Sequence, residues 1–136
     1  MKVEGSMCFD AHAHYDDEKF QQDQAAVLLS LKAAGIGYVV NCACDLDSCK
    51  DTLKLMKTYD FLYGAMGVHP HSVKDLDVEA VSDLYRYCRG SDKVVAVGEI
   101  GLDYHYDFSL EMCSKSGLLN RLNWQRNWSF HHRSLP

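Results

Sequence analysis

Asp10-Ala11-His12-Ala13-His14 follows the apolar run Met7-Cys8-Phe9 near the start of the chain. In an extended strand, side chains alternate faces with a period of two. The two histidines and the aspartate then project to one side, and the two small alanines to the other. Two imidazoles on one face, two residues apart, can grip one divalent metal ion, and a carboxylate two residues earlier can ligate it or orient them. The plain alternative is a polar loop after a strand that happens to carry two histidines, and the motif by itself does not choose between them.

Two further polar clusters follow apolar runs. Gly67-Val68-His69-Pro70-His71 comes after the run ending at Met66, and Gly98-Glu99-Ile100-Gly101-Leu102-Asp103-Tyr104 after the run ending at Val97. A carboxylate at the end of an apolar strand is costly unless paired or bound to metal. Flanking glycines let backbone and ligand approach Glu99 closely. The alternative for Glu99 is a helix cap, but no helix signal starts promptly after it. Pro70 stiffens the turn that holds His69, which reaches a phosphate or a metal, or else bonds only to backbone. His71 is expected to face solvent. Asp103 ligates, orients a histidine, or caps a turn, and the residues leave this open. His105 has no partner at ligand spacing. His131 and His132, neighbours on a helix, would point about 100° apart and are expected to be solvated.

The elements that must position these groups alternate strand and helix signals four times. Expected strands cover 6–9, 36–42, 61–66 and 93–97. The first expected helix runs from a cap at Asp16 or Asp17 to about Ala34, with Phe20, Val27, Leu28 and Leu31 inside and a stop at Gly35. The second is opened by Asp47 and runs to about Tyr59, with Leu53, Leu55 and Met56 inside. The third is opened by Asp77 and runs to about Arg89, with Val81, Leu84, Tyr85 and Cys88 on one face. The run 36–42 reads as a strand buried on both faces. Such alternation builds βαβ units and a parallel sheet. The carboxyl ends of its strands open on one face, where sites are built. The three polar clusters all fall at such ends. After Phe108 the pattern degrades, which divides the chain into 1–109 and a divergent helix or loop segment at 110–136.

The 136 residues are 47% hydrophobic and 24% charged, ordinary for a globular domain. No apolar run approaches the ~20 residues of a membrane span, and the N-terminus lacks the apolar core of a secretory signal. The six cysteines, Cys8, Cys42, Cys44, Cys49, Cys88 and Cys113, are therefore expected to be reduced, and the protein cytosolic, or nuclear in a eukaryote. Cys42-Ala43-Cys44 reads as small residues closing a buried strand, with a metal or redox pair as the alternative. Net charge is −5. It splits into −8 over residues 1–109 and +3 over 110–136. An acidic body argues against broad electrostatic capture of nucleic acid, but bound metal ions could supply positive charge locally.

Taken together and in this order and spacing, the three motifs resemble the TatD family of metal-dependent deoxyribonucleases, over residues 6 to about 107 and weakly again at 125–132. The resemblance implies an amidohydrolase-like (β/α)₈ barrel with its metal site at the carboxyl face. This chain would supply the N-terminal half, about four parallel strands with alternating helices. It implies that His12 and His14 bind one ion and that Glu99 bridges to a second. His69 would help hold a phosphate, and Asp103 would join the catalytic group. The ions implied are Mg²⁺, Mn²⁺ or Zn²⁺, the partner is DNA as substrate with no membrane role, and the chemistry is phosphodiester hydrolysis by metal-activated water. The histidine-rich ligand set suits Zn²⁺ or Mn²⁺ better than Mg²⁺.

A complete barrel takes about 250 residues. The resemblance also implies two histidines and an aspartate, the general base, after the fifth, sixth and eighth strands, and those positions are not in this sequence. A half barrel has two open sheet edges and an uncovered apolar face, which favour self-association. Two readings of different class follow: a hydrolase of this type, or a catalytically dead metal-binding or interaction remnant of it. A small amidohydrolase acting on amides or lactones is the weaker third, since it would usually want a carboxylated lysine or a histidine where Glu99 stands.

Overall fold

The computed structural model describes residues 7–101, apart from the side chains of Lys74 and Asp75. The expected boundary at 109/110 and Asp103, His105, His131 and His132 therefore lie outside the described residues. Four strands, β1 (Cys8–Ala13), β2 (Ile36–Cys42), β3 (Leu62–Met66) and β4 (Val94–Val97), form one parallel sheet in the order β1-β2-β3-β4. Three α-helices connect them: α1 (Gln24–Ser30), α2 (Leu46–Thr58) and α3 (Val78–Arg89). Spatial order equal to chain order is the winding of a barrel; a doubly wound sheet reverses at a switch point.

The helices cover one face of the sheet. In β2, Gly37, Val39 and Asn41 are buried while Ile36, Tyr38 and Val40 are half-buried. Asn41 pairs in register with Gly64 of β3 and bonds to Thr52 of α2, which places its face against the helices. Tyr38 and Tyr63 meet across the other face, ring centroids 6.1 Å apart. The expectation that β2 is buried on both faces is thus corrected: the described helices shield only one side. The core packs Leu28 and Leu31 near α1, Val39 of β2, Cys49, Leu55 and Met56 of α2, Leu62 and Met66 of β3, and Leu84 and Cys88 of α3. Among the described residues β1 and β4 pair on one side only.

Local chemistry explains the helix bounds. Asp45, not Asp47, caps α2: its carboxylate accepts from Ser48 N at 2.7 Å, and the Ser48 hydroxyl accepts from Asp45 N at 2.8 Å, a reciprocal capping box. Asp47 lies inside the first turn, where a negative charge favours the helix dipole. Asp77 caps α3 through Ala80 N, as expected.

The first helix is far shorter than expected. Asp17 caps only a 3₁₀ turn at Glu18–Phe20, and α1 begins after Asp23, whose side chain makes no cap bond. Between Asp16 and Asp23, Phe20 is the only apolar side chain, so no continuous helical face could be buried there; Phe20 packs instead on Tyr15. Gly35, at φ 87°, turns the chain into β2 as expected. Tyr85 corrects another expectation: it is 44% exposed and accepts a hydrogen bond from Arg89, while Ala80 takes its place in the buried stripe.

Candidate metal centre

β1 starts later than expected and runs on to Ala13, so His12 lies in the strand and His14 directly follows it. Ala13 is buried, and His12 and His14 turn toward each other with Nε2 atoms 3.1 Å apart. His12 Nε2 lies 3.3 Å from Glu99 Oε1. One ligand atom from each of these three residues falls within 4.8 Å of the others. Ligand bonds of about 2.0–2.1 Å put two donors on a tetrahedral ion roughly 3.3 Å apart. The His12–His14 and His12–Glu99 separations fit that edge, so the residues present can converge on one divalent ion.

Outer contacts fix how each donor points. His14 Nδ1 is 2.7 Å from the Cys42 carbonyl, which can only accept. Nδ1 therefore carries the proton, and Nε2 keeps its lone pair for a metal. Asp10 Oδ1 accepts from His12 N at 3.3 Å. That bond is to the backbone and not to the imidazole, and Asp10 is not a member of the three-residue cluster.

Glu99 arrives by a different route. Beyond the strand ends the backbones stay joined: Ala43 N donates to Ala65 O, His69 N to Cys44 O, Gly98 N to Met66 O and Glu99 N to Ala43 O. The segment after β4 passes so close to Gly67 that a Cβ there would collide with the Gly98 carbonyl and Glu99 N. Gly67 is a close-approach glycine whose absent side chain makes room for the Glu99 backbone. Glu99 is held with its side chain 24% exposed, against 56% for His12.

His69 is tied into this region by its backbone, while its imidazole is occupied locally. Nδ1 accepts from His71 N at 3.2 Å, and the ring meets the His71 ring edge to face at 4.3 Å. Pro70 opens a 3₁₀ segment, Pro70–Asp75, in agreement with the stiff turn expected there. His71 is half-buried, against the expectation of full exposure.

One residue at the site escaped the reading of the sequence, and a second was read in another role. Asn41 is completely buried. Its Oδ1 accepts from Tyr15 N at 2.6 Å, and its Nδ2 donates to Asp16 at 2.6 Å and to Thr52 at 2.8 Å. It thereby fastens the segment just after His14. Burial raises the Asp16 carboxyl above its ordinary range, although the Asn41 bond works against this. An asparagine inside an apolar run is a readable signal, because a buried amide must find partners. Cys44 is the second. Its Sγ lies 3.2 Å from Glu99 Oε2 and 3.6 Å from His14 Nδ1. Burial, with the Glu99 hydrogen bond and charge adding to it, pushes the thiol up to about 12. The expectation of a strand-closing small residue holds for buried Cys42 but not for Cys44.

Comparison with known proteins places the chain in a family. Residues 9–117 match the family model of TatD related DNases. An uncharacterized metal-dependent hydrolase of Bacillus subtilis, YabD, is 33% identical over 85% of this chain and 45% of its own length. A 3'-5' ssDNA/RNA exonuclease TatD of Pectobacterium carotovorum is 28% identical over 74% of this chain and 39% of its own. The crystal structure of YjjV, a TatD homolog from Escherichia coli, superposes with a TM-score of 0.79 at 30% identity, covering 88% of this chain and 46% of that one. The chain thus spans less than half the length of these relatives, and its four parallel strands with their three connecting helices form part of a (β/α)₈ barrel. With its strand-end motifs inside the matched span, this chain belongs to the TatD family of related DNases.

Proposed function

We propose that this chain carries the N-terminal ligands of a divalent-metal-dependent phosphodiesterase acting on nucleic acid, with single-stranded DNA as the first substrate class. The observation that carries this reading is the meeting of His12, His14 and Glu99 at donor separations that suit one ion. Family membership among proteins named as metal-dependent hydrolases and exonucleases supports it.

In this reading His12 and His14 bind an ion through Nε2, with the His14 ring oriented by the Cys42 carbonyl. Glu99 would complete the ligand set from the segment after β4, with Oε1 beside His12 and Oε2 beside Cys44. A bound ion supplies an acidified water and offsets the charge that builds on the phosphoryl oxygens. His69 contacts a substrate phosphate after exchanging its bond to His71 N, and Asp103 assists the hydrolysis. The acidic body makes the ions the main local source of positive charge for a phosphate. The histidine pair favours Zn²⁺ or Mn²⁺ over Mg²⁺.

The test is release of nucleotides from single-stranded DNA by the purified chain with Mn²⁺, Zn²⁺ or Mg²⁺, beside Glu99→Ala. Cleavage that requires both metal and Glu99 supports hydrolysis. Metal binding with no cleavage above the Glu99→Ala control overturns it and favours the non-catalytic reading.

A further inference from the structure

We propose that the cavity between the first turns of α2 and α3 binds a nucleobase bearing an amino group, which gives the chain a base-recognition pocket beside its metal centre. The inference rests on the reading of the chain as acting on nucleic acid and names a second contact for that substrate.

The cavity measures about 340 Å³, within the range of small-molecule sites. Val68, Leu76 and Ala80 give it an apolar floor, of which Val68 and Ala80 are buried. Its walls come from α2, α3 and the segment between β3 and α3. One backbone bond joins it to the centre: His69 N donates to Cys44 O at 2.7 Å. Val68, just before His69, and Asp45, just after Cys44, both line the cavity. On the far side of the same bond, Cys44 Sγ lies 3.2 Å from Glu99.

The polar groups at the mouth select the occupant. Two carboxylates, Asp45 and Asp47, face one ammonium, Lys50, so an anion is repelled. The N-terminus of α2 is already capped by Asp45 Oδ1, which accepts from Ser48 N. Lys50 is engaged with Asp47 Oδ1 at 2.7 Å, and this pairing holds the Asp47 carboxyl below its ordinary range. Both carboxylates are therefore ionised acceptors at neutral pH, each with a second oxygen to offer a ligand. The occupant must be uncharged, flat enough to lie on an apolar floor, and able to donate. Adenine meets this demand, with an exocyclic amino donor and no carbonyl, whereas thymine would turn carbonyl oxygens toward the carboxylates.

Amide NMR of the metal-free chain titrated with deoxyadenosine and with thymidine tests the pocket apart from the metal centre. The expected result is saturable shifts at Val68, Ser72 and Ala80 with deoxyadenosine, and binding of thymidine weaker by at least about threefold. Ala80→Leu fills the floor and should abolish the shifts while Zn²⁺ binding stays as in the parent. Asp47→Ala, at an exposed side chain, should weaken deoxyadenosine about threefold and leave thymidine unchanged. It decides the matter if Ala80→Leu does not fold by circular dichroism. The absence of saturable shifts at the cavity, or shifts that survive unchanged in the folded variants, would overturn the pocket. Thymidine bound as tightly as deoxyadenosine would overturn recognition by the carboxylates. Either failure leaves the metal reading standing, because that reading depends on Glu99-dependent cleavage.

Discussion

The end of β1 and the junction of β2, β3 and β4 deliver ligands to one point by different physics. At β1, an edge strand among the described residues with exposed neighbours such as Phe9, His12 lies in the strand and His14 directly follows its last residue. The segment beyond is then fastened by one buried amide, Asn41. At the junction, Glu99 is set by backbone-to-backbone contacts among three successive segments and by the missing side chain of Gly67. The first region is open and depends on side chains; the second is closed and depends on backbone. Ligand geometry should therefore respond to side-chain deletion at one end and to added volume at the other.

The largest effect is expected from Gly67→Ala. Its Cβ meets backbone that cannot swing aside, so the variant should lose about 3 kcal/mol in urea unfolding, and metal affinity should fall with Glu99 displaced. A stability change within error would show that the junction is softer than its contacts imply. Asn41→Leu should cost about 2–3 kcal/mol, because Tyr15 N and the half-buried Asp16 lose their partner in the interior. Its metal affinity should also drop through His14, with Glu99 untouched. If Asn41→Leu unfolds like the parent, the amide is not what holds the β1 end.

How much of this was open to a reading of the sequence follows the same division. A period of two is a local rule, so the pairing of His12 with His14 was legible from five residues, and placing Glu99 at a strand end was enough to expect it nearby. The four strands and the cap of α3 were legible for similar reasons. Asp45 was passed over for Asp47 because either aspartate can begin a helix, and the choice depends on Ser48 closing the box. Cys44 was singled out with Cys42, but its contact with Glu99 was illegible because the two are 55 residues apart and neither signals the other. Tyr85 shows the limit of periodicity: its phenol is drawn to Arg89 at the surface, although the spacing fits a buried stripe.

Smaller effects sharpen the picture away from the site. Asp45→Ala removes the carboxylate half of the box and should cost about 1 kcal/mol by urea unfolding. A larger loss would mean that the cap also holds the Cys44 backbone through Ser48. Val78→Thr, at a side chain 88% exposed, should stay within about 0.5 kcal/mol of the parent. A clear loss there would reveal a surface that is covered in solution.

The most direct measurement is calorimetric titration of the chain with Zn²⁺, repeated for His14→Ala and Glu99→Ala, with circular dichroism to confirm that each variant is folded. One centre built from both regions predicts saturable binding that weakens by at least about tenfold in each variant alone. Binding unchanged in either folded variant would contradict a shared ion between the end of β1 and the segment after β4.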